Sequence, residues 1–314
     1  MHDLVAIGEV MLRLAVPPPA RIETVRQLDV QVGGAEANVA AACARLGLRT
    51  AWISALPANA WGERIVRELT GHGVDCAPVR MVDDARVGVY FIEFGAAPRP
   101  IRVLYDRRDS AFARLTPEAI EWEPVRRARL VHVTGITPAL GPGPRRIVER
   151  ALREAAAASF DLNYRSALWA PHEARLFVES AVPTVRHLFM GEGEARTVFG
   201  LSGPPEAIVE ALSRLAPKAT IALLQGQEGS TVLAEGRLWR PSRAHTVQVV
   251  DPVGAGDAYV AGFLWATLNG RGPQEAVDTG AAAAALKCAT WGDVALIDAR
   301  EVADLLAGGA DIRR

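Results

Sequence analysis

Ten residues in the C-terminal third of the chain, DPVGAGDAYV (251–260), place an aspartate inside a glycine-rich turn. Gly254 and Gly256 permit tight backbone geometry and keep side chains out of the approach path. The N–H groups of Gly254, Ala255, Gly256 and Asp257 are then available to converge on an anion, helped by the dipole of the helix that follows. Asp257 adds a carboxylate to a turn suited to phosphate, which points to a second role in the same place. A bare GxGD pattern also fits a purely structural turn. Its expected position, between the apolar run VVD (249–251) as a strand and a helix, favours chemistry.

Other chemistries lack their residues. The sequence contains no GxxxxGK[ST], GxSxG or HExxH motif. Cys43, Cys76 and Cys288 are far apart and form no CxxC pair, so neither a disulfide framework nor a zinc site is expected. His132 lies in an apolar run and reads as a core histidine, and the remaining histidines form no cluster.

The elements around the turn follow an alternating rhythm. Strand-like runs at 4–10, 50–56, 129–136, 159–163, 187–190 and 219–225 alternate with helical spacing at 35–47, 61–73, 144–157, 171–182, around 256–269 and at 273–288. Repeated β–α units imply a mostly parallel sheet covered by helices on both faces, a three-layer α/β/α core. Two stretches break the rhythm. Residues 11–32 read as extended segments around VPPPARIE, and 87–106 read as a hairpin closed by a Gly/Pro turn. Together they predict a small antiparallel β lid over residues 11–34 and 87–106. The α/β core is then 1–10, 35–86 and 107–314.

Composition bounds the partners. The chain has 314 residues, half of them hydrophobic (50%), and a formal net charge of −1. No general attraction to nucleic acid or to an anionic membrane follows from that balance. No apolar run reaches membrane-spanning length, and MHDLVAIGEVML reads as a first strand rather than a signal peptide. A cytoplasmic location is the default expectation.

Two motifs carry a family resemblance. DPVGAGDAYVAGF (251–263) resembles one signature of the ribokinase-like (PfkB) carbohydrate kinases, and GGAEANVAAACARLG (33–47) resembles the other, a Gly33-Gly34 turn before a helix bearing Asn38. Both occur in the expected order, and with the alternation between them the resemblance spans essentially the whole chain. VHVTGITPAL (131–140), DLNYRSALW (161–169), Tyr90 and YDRRDSA (105–111) look like the substrate segments of 2-keto-3-deoxygluconate kinases within that family.

The resemblance implies a set of site residues. Sugar contacts fall on Gly34, Tyr90, Tyr105, Arg107, Ile136, Arg165, Gly254, Asp257 and Asp293, beside the Gly33 turn. Arg165 follows a strand end, the ligand edge of such sheets, where a guanidinium suits a sugar-acid carboxylate; a structural ion pair is the alternative. Tyr90 and Tyr105 have lid packing as theirs. Asn38 either binds sugar hydroxyls or braces the turn from inside the helix. Glu194, in MGEGEARTVFG, resembles an Asn-x-x-Glu motif that acts on magnesium indirectly, with Gly191 in place of the Asn. Gln225, Gly226 and Gly229 match a nucleotide-lining turn, although Leu224 and Gln225 stand where relatives often carry a basic residue. The Ala-rich helix 280–288 either faces the adenine or simply packs closely. Asp251 and the Val253 carbonyl resemble a monovalent-cation site, which implies K⁺ activation.

The implied activity is ATP- and Mg²⁺-dependent phosphorylation of a primary hydroxyl, foremost on 2-keto-3-deoxygluconate, with Asp257 as general base. Fructose, ribose or a nucleoside is the alternative acceptor, and a non-catalytic sugar or nucleotide sensor the alternative class. Arg107 and Arg165 favour an acidic substrate, and Asp257 disfavours a mere binder. Open lid strands imply a homo-oligomer.

Overall fold

The computed structural model describes residues 1–95 and 98–309, so residues 96–97 of the expected Gly/Pro turn lie outside them. In the nine-stranded main sheet Leu4–Ile7 lies third from one edge, flanked by Thr50–Ile53 and Leu130–Thr134. Beyond these come Val74–Asp75 on one side and Ala158–Asp161, His187–Gly191 and Thr220–Leu224 on the other, all parallel. Ser230–Ala234 and Arg237–Trp239 close that edge antiparallel.

The first strand shows why this sheet sits in a sandwich. Leu4 and Ala6 face one hydrophobic cluster, Val5 and Ile7 the other, and all four are buried. The period-two alternation of a strand therefore feeds two apolar faces at once. Helices Ala35–Arg45, Ala255–Leu268 and Pro273–Cys288 cover the first face. Pro142–Glu154, Pro171–Ala181 and Pro205–Ser213 cover the second. Each of Leu4, Val5 and Ile7 contributes about 1.5–3 kcal/mol by leaving water.

A separate four-stranded sheet runs in the order Asp29–Gly33, Met11–Val16, Gly88–Glu93, Arg102–Asp106. Its outer pairs are antiparallel, as a hairpin requires, while its central pair is parallel because the chain crosses the main sheet between them. The outermost strand, Arg102–Asp106, is exposed along its length.

Two sequence expectations change. The run 50–56 is two strands, because Thr50–Ile53 stays in the main sheet and Ala55–Pro57 pairs with Arg80–Val82. Val249 and Val250 form no strand and are half-exposed. Their segment is tied to a helix terminus instead: the Val250 and Asp251 amides both donate to the Cys288 carbonyl (2.8 and 3.2 Å). An apolar dipeptide is too short to dictate a strand when no neighbour offers a ladder.

Candidate active site

The strand ends and the small sheet enclose a cavity of about 480 Å³. Ligand sites of open parallel sheets lie at this carboxyl edge. The chain reaches it through the turn at Gly254, whose φ of +85° suits only glycine. A Cβ there would also overlap the Asp293 carbonyl oxygen. Helix Ala255–Leu268 starts directly after, so its first amides lack intrahelical acceptors. One of the four amides expected to face an anion is already used: Ala255 N donates to the Pro252 carbonyl (3.2 Å). The reason is the tightness of the turn itself.

Asp257 lines the cavity, is buried, and sits at the third position of that helix. Asn38 Nδ2 donates to its Oδ2 (2.7 Å), and Asn38 Oδ1 accepts from the Gly34 amide (3.4 Å). Asn38 thus braces the Gly-Gly turn and also holds the aspartate. A further residue, Asn163, reaches Asp257 Oδ1 at 3.5 Å and Asp161 Oδ2 at 3.2 Å. Burial pushes Asp257 up to about 7; the Asn38 hydrogen bond opposes the rise, Asp293 and Glu36 add to it, and Arg165 opposes it. Asp161 is raised well above the ordinary carboxylate range by burial, then by Glu194 and Asp257. Glu194 is raised by burial, against the Gly191 amide and Arg165.

The two arginines differ. Arg107 lines the cavity, but its Nε donates to Glu9 Oε2 (2.8 Å), its terminal nitrogen bonds the same oxygen, and Ser110 takes the other. Its charge is therefore already balanced by a carboxylate, which weakens the expectation that Arg107 joins Arg165 in favouring an acidic substrate. Arg165 makes no ion pair within 4.0 Å among the described residues and donates only to the neighbouring Tyr164 carbonyl (3.1 Å).

The remaining residues divide cleanly. Gly33, Gly34, Tyr90, Tyr105, Ile136 and Asp293 line the cavity, as do Val253, Gly254, Gly256 and Glu194. Tyr90 donates to Asp293 Oδ2 (2.6 Å), and a Cβ on Gly33 would overlap both partners. The Tyr90 and Tyr105 rings lie 6.0 Å apart. Gln225, Gly226 and Gly229 do not line it. They form the hairpin beyond Leu224, and the Gln225 side chain is engaged by Glu192 (2.9 Å) and Thr231 (2.8 Å).

Behind the turn lies a buried charge network that sequence reading missed. Arg13 bridges Asp251 Oδ2 and Asp293 Oδ1 at 2.5 Å each, with Phe94 and Trp291 against its guanidinium. Lys287 Nζ donates to the Asp251 carbonyl (2.8 Å). Glu36, equally buried, takes hydroxyl bonds from Thr134 and Thr137. A charged residue within MLRLAV and another within AAAAALKCA were the available signals. His132 is a core histidine as expected, bonded to Ser159 (2.9 Å) and held at about 3 by burial.

A model of the pfkB family carbohydrate kinases matches residues 1–299. The chain belongs to the PfkB family of carbohydrate kinases. It is 40% identical to a 2-dehydro-3-deoxygalactonokinase of Haloferax volcanii, across 98% of this chain and 97% of that protein. It is 33% identical to a 2-dehydro-3-deoxygluconokinase of Thermoproteus tenax, across 98% and 94%. A 2-dehydro-3-deoxygluconokinase structure from Thermotoga maritima superposes with a TM-score of 0.92 at 32% identity, covering 98% of this chain and all (100%) of that one. The protein is a sugar kinase with the ribokinase-like fold, and this family uses ATP. No helix among the described residues is long and apolar enough to cross a membrane.

Proposed function

We propose that this kinase transfers the γ-phosphoryl group of ATP to the primary hydroxyl of 2-keto-3-deoxygluconate, giving the 6-phosphate. One juxtaposition carries the reading: buried Asp257 shares its cavity with Arg165, a guanidinium without an ion-pair partner among the described residues. Arg165 pairs with the sugar-acid carboxylate and fixes its distance from the base. The Asp257 carboxylate takes the hydroxyl proton as the oxygen bonds to phosphorus and the bond to ADP breaks. Such proton removal contributes roughly a hundred- to ten-thousandfold. The Gly254, Gly256 and Asp257 amides offset charge on the transferred oxygens.

Magnesium belongs to the nucleotide in this reading. Among the described residues no cluster of three His, Cys, Asp or Glu side chains forms a metal cage. Each Glu194 oxygen accepts a backbone amide, from Tyr164 and from Gly191 (both 2.9 Å). Asp161 and Glu194 nonetheless favour an arriving cation, since burial raises both and Glu194 raises Asp161 further. A bound Mg²⁺ would supply charge neutralisation to the phosphates, and Asp161 and Glu194 are the residues that would hold it there. The lid excludes water as it closes, and its exposed outer strand supports pairing between copies.

The C4 epimer, 2-keto-3-deoxygalactonate, is the second reading, favoured by the Haloferax volcanii relative. An ADP-release assay across both keto-deoxy acids, fructose, ribose and adenosine separates these. Turnover of a keto-deoxy acid is expected; turnover of a neutral sugar alone overturns the proposal.

A further inference from the structure

Lys287 ends the helix Pro273–Cys288 fully buried (0% exposed), inside an otherwise Ala-rich stretch. A buried ammonium is costly unless paired and hydrogen-bonded. Its Nζ donates to the Asp251 carbonyl (2.8 Å) and to the Thr290 carbonyl (3.4 Å), and lies 4.0 Å from Asp251 Oδ1. Those carbonyls begin the two segments that meet at the phosphate turn. One runs from Asp251 to Gly254. The other runs from Thr290 to Asp293, whose carbonyl fills the space beside Gly254. The Gly292 amide completes the clamp by donating to Asp251 Oδ2 (3.0 Å).

A free monovalent cation does not fit here. Asp251 Oδ1 accepts from the Val253 amide (3.0 Å), Oδ2 from Arg13 and Gly292, and the carbonyl from Lys287. An added K⁺ would compete for those oxygens with an ammonium and a guanidinium that already balance Asp251 and Asp293. The expectation of K⁺ activation from Asp251 and Val253 therefore meets a site whose cation is covalently attached.

We propose that Lys287 is a tethered substitute for a monovalent cation, a positioning residue that holds the phosphate turn in register with Asp293 and makes this kinase independent of K⁺. The inference uses the carbohydrate-kinase activity and does not depend on which sugar acid is the acceptor.

The test compares the wild type and Lys287→Met in K⁺, Na⁺, NH₄⁺ and choline chloride at one ionic strength, reading turnover and melting temperature. Wild-type turnover and melting are expected to be the same in all four. The variant in choline is expected to lose roughly a hundredfold in kcat, the scale of a one-ångström misplacement. K⁺ or NH₄⁺ restores much of that loss saturably and raises the melting temperature of the variant alone. If Lys287→Met fails to fold, Lys287→Gln, which keeps a donor without the charge, replaces it. Wild-type activation by K⁺ overturns the proposal. So does a variant active in choline, or one that no cation rescues in either rate or melting. The melting arm needs no sugar, so a wrong acceptor leaves it readable.

Discussion

Two aspartates in one motif, Asp251 and Asp257, live in opposite electrostatic settings. Asp251 is enclosed by Arg13, Lys287 and two backbone amides. Asp257 faces Asn38 and Asn163, with further acids nearby and Arg165 opposing them. The rear of the turn is thus electrically complete before any ligand arrives. The front carries acids whose charge awaits a partner, and burial together with those acids raises the Asp257 carboxyl toward neutrality. Preorganisation behind the turn lets the front remain unsatisfied without the fold collapsing onto it.

The sharpest way to break this contrast is at the front. Asp257→Asn is expected to lower kcat roughly a hundred- to ten-thousandfold while calorimetric affinity for the sugar acid survives. At the rear, Arg13→Met removes a buried partner of two carboxylates. It is expected to cost about 3–5 kcal/mol of stability, seen as a lower denaturant midpoint. That loss is expected to appear with or without substrate.

Arg165→Met sharpens the front further. Losing a charge-assisted contact of about 1.5–3 kcal/mol raises KM for the sugar acid about ten- to a hundredfold, with a smaller change in kcat. Steady-state kinetics on the acid and on a neutral sugar check this, since only the acid is expected to respond.

The front was largely legible in sequence, and the rear was not. Gly254, Gly256 and Asp257 announce themselves locally, as do Gly33, Gly34 and Asn38, because glycine punctuation and helical spacing are short-range signals. The β–α alternation is equally local. The Arg13 pairs span 238 and 280 residues, and Arg107 meets Glu9 across 98. No spacing rule sees such partners, so the sequence could not show that Glu9 already occupies Arg107. Asn163 lay within the quoted DLNYR segment, yet its role depends on a positive φ of 42° that only the folded turn reveals.

The pH dependence of kcat/KM tests the central claim most directly, because it reports groups of the free enzyme. Burial raises the folded Asp257 to about 7, and the base must be ionised to accept a proton. Activity is therefore expected to rise with pH from about 5.5, tenfold per unit, and to level off above about 7. A flat profile across that range would contradict a base poised by its own uncompensated surroundings.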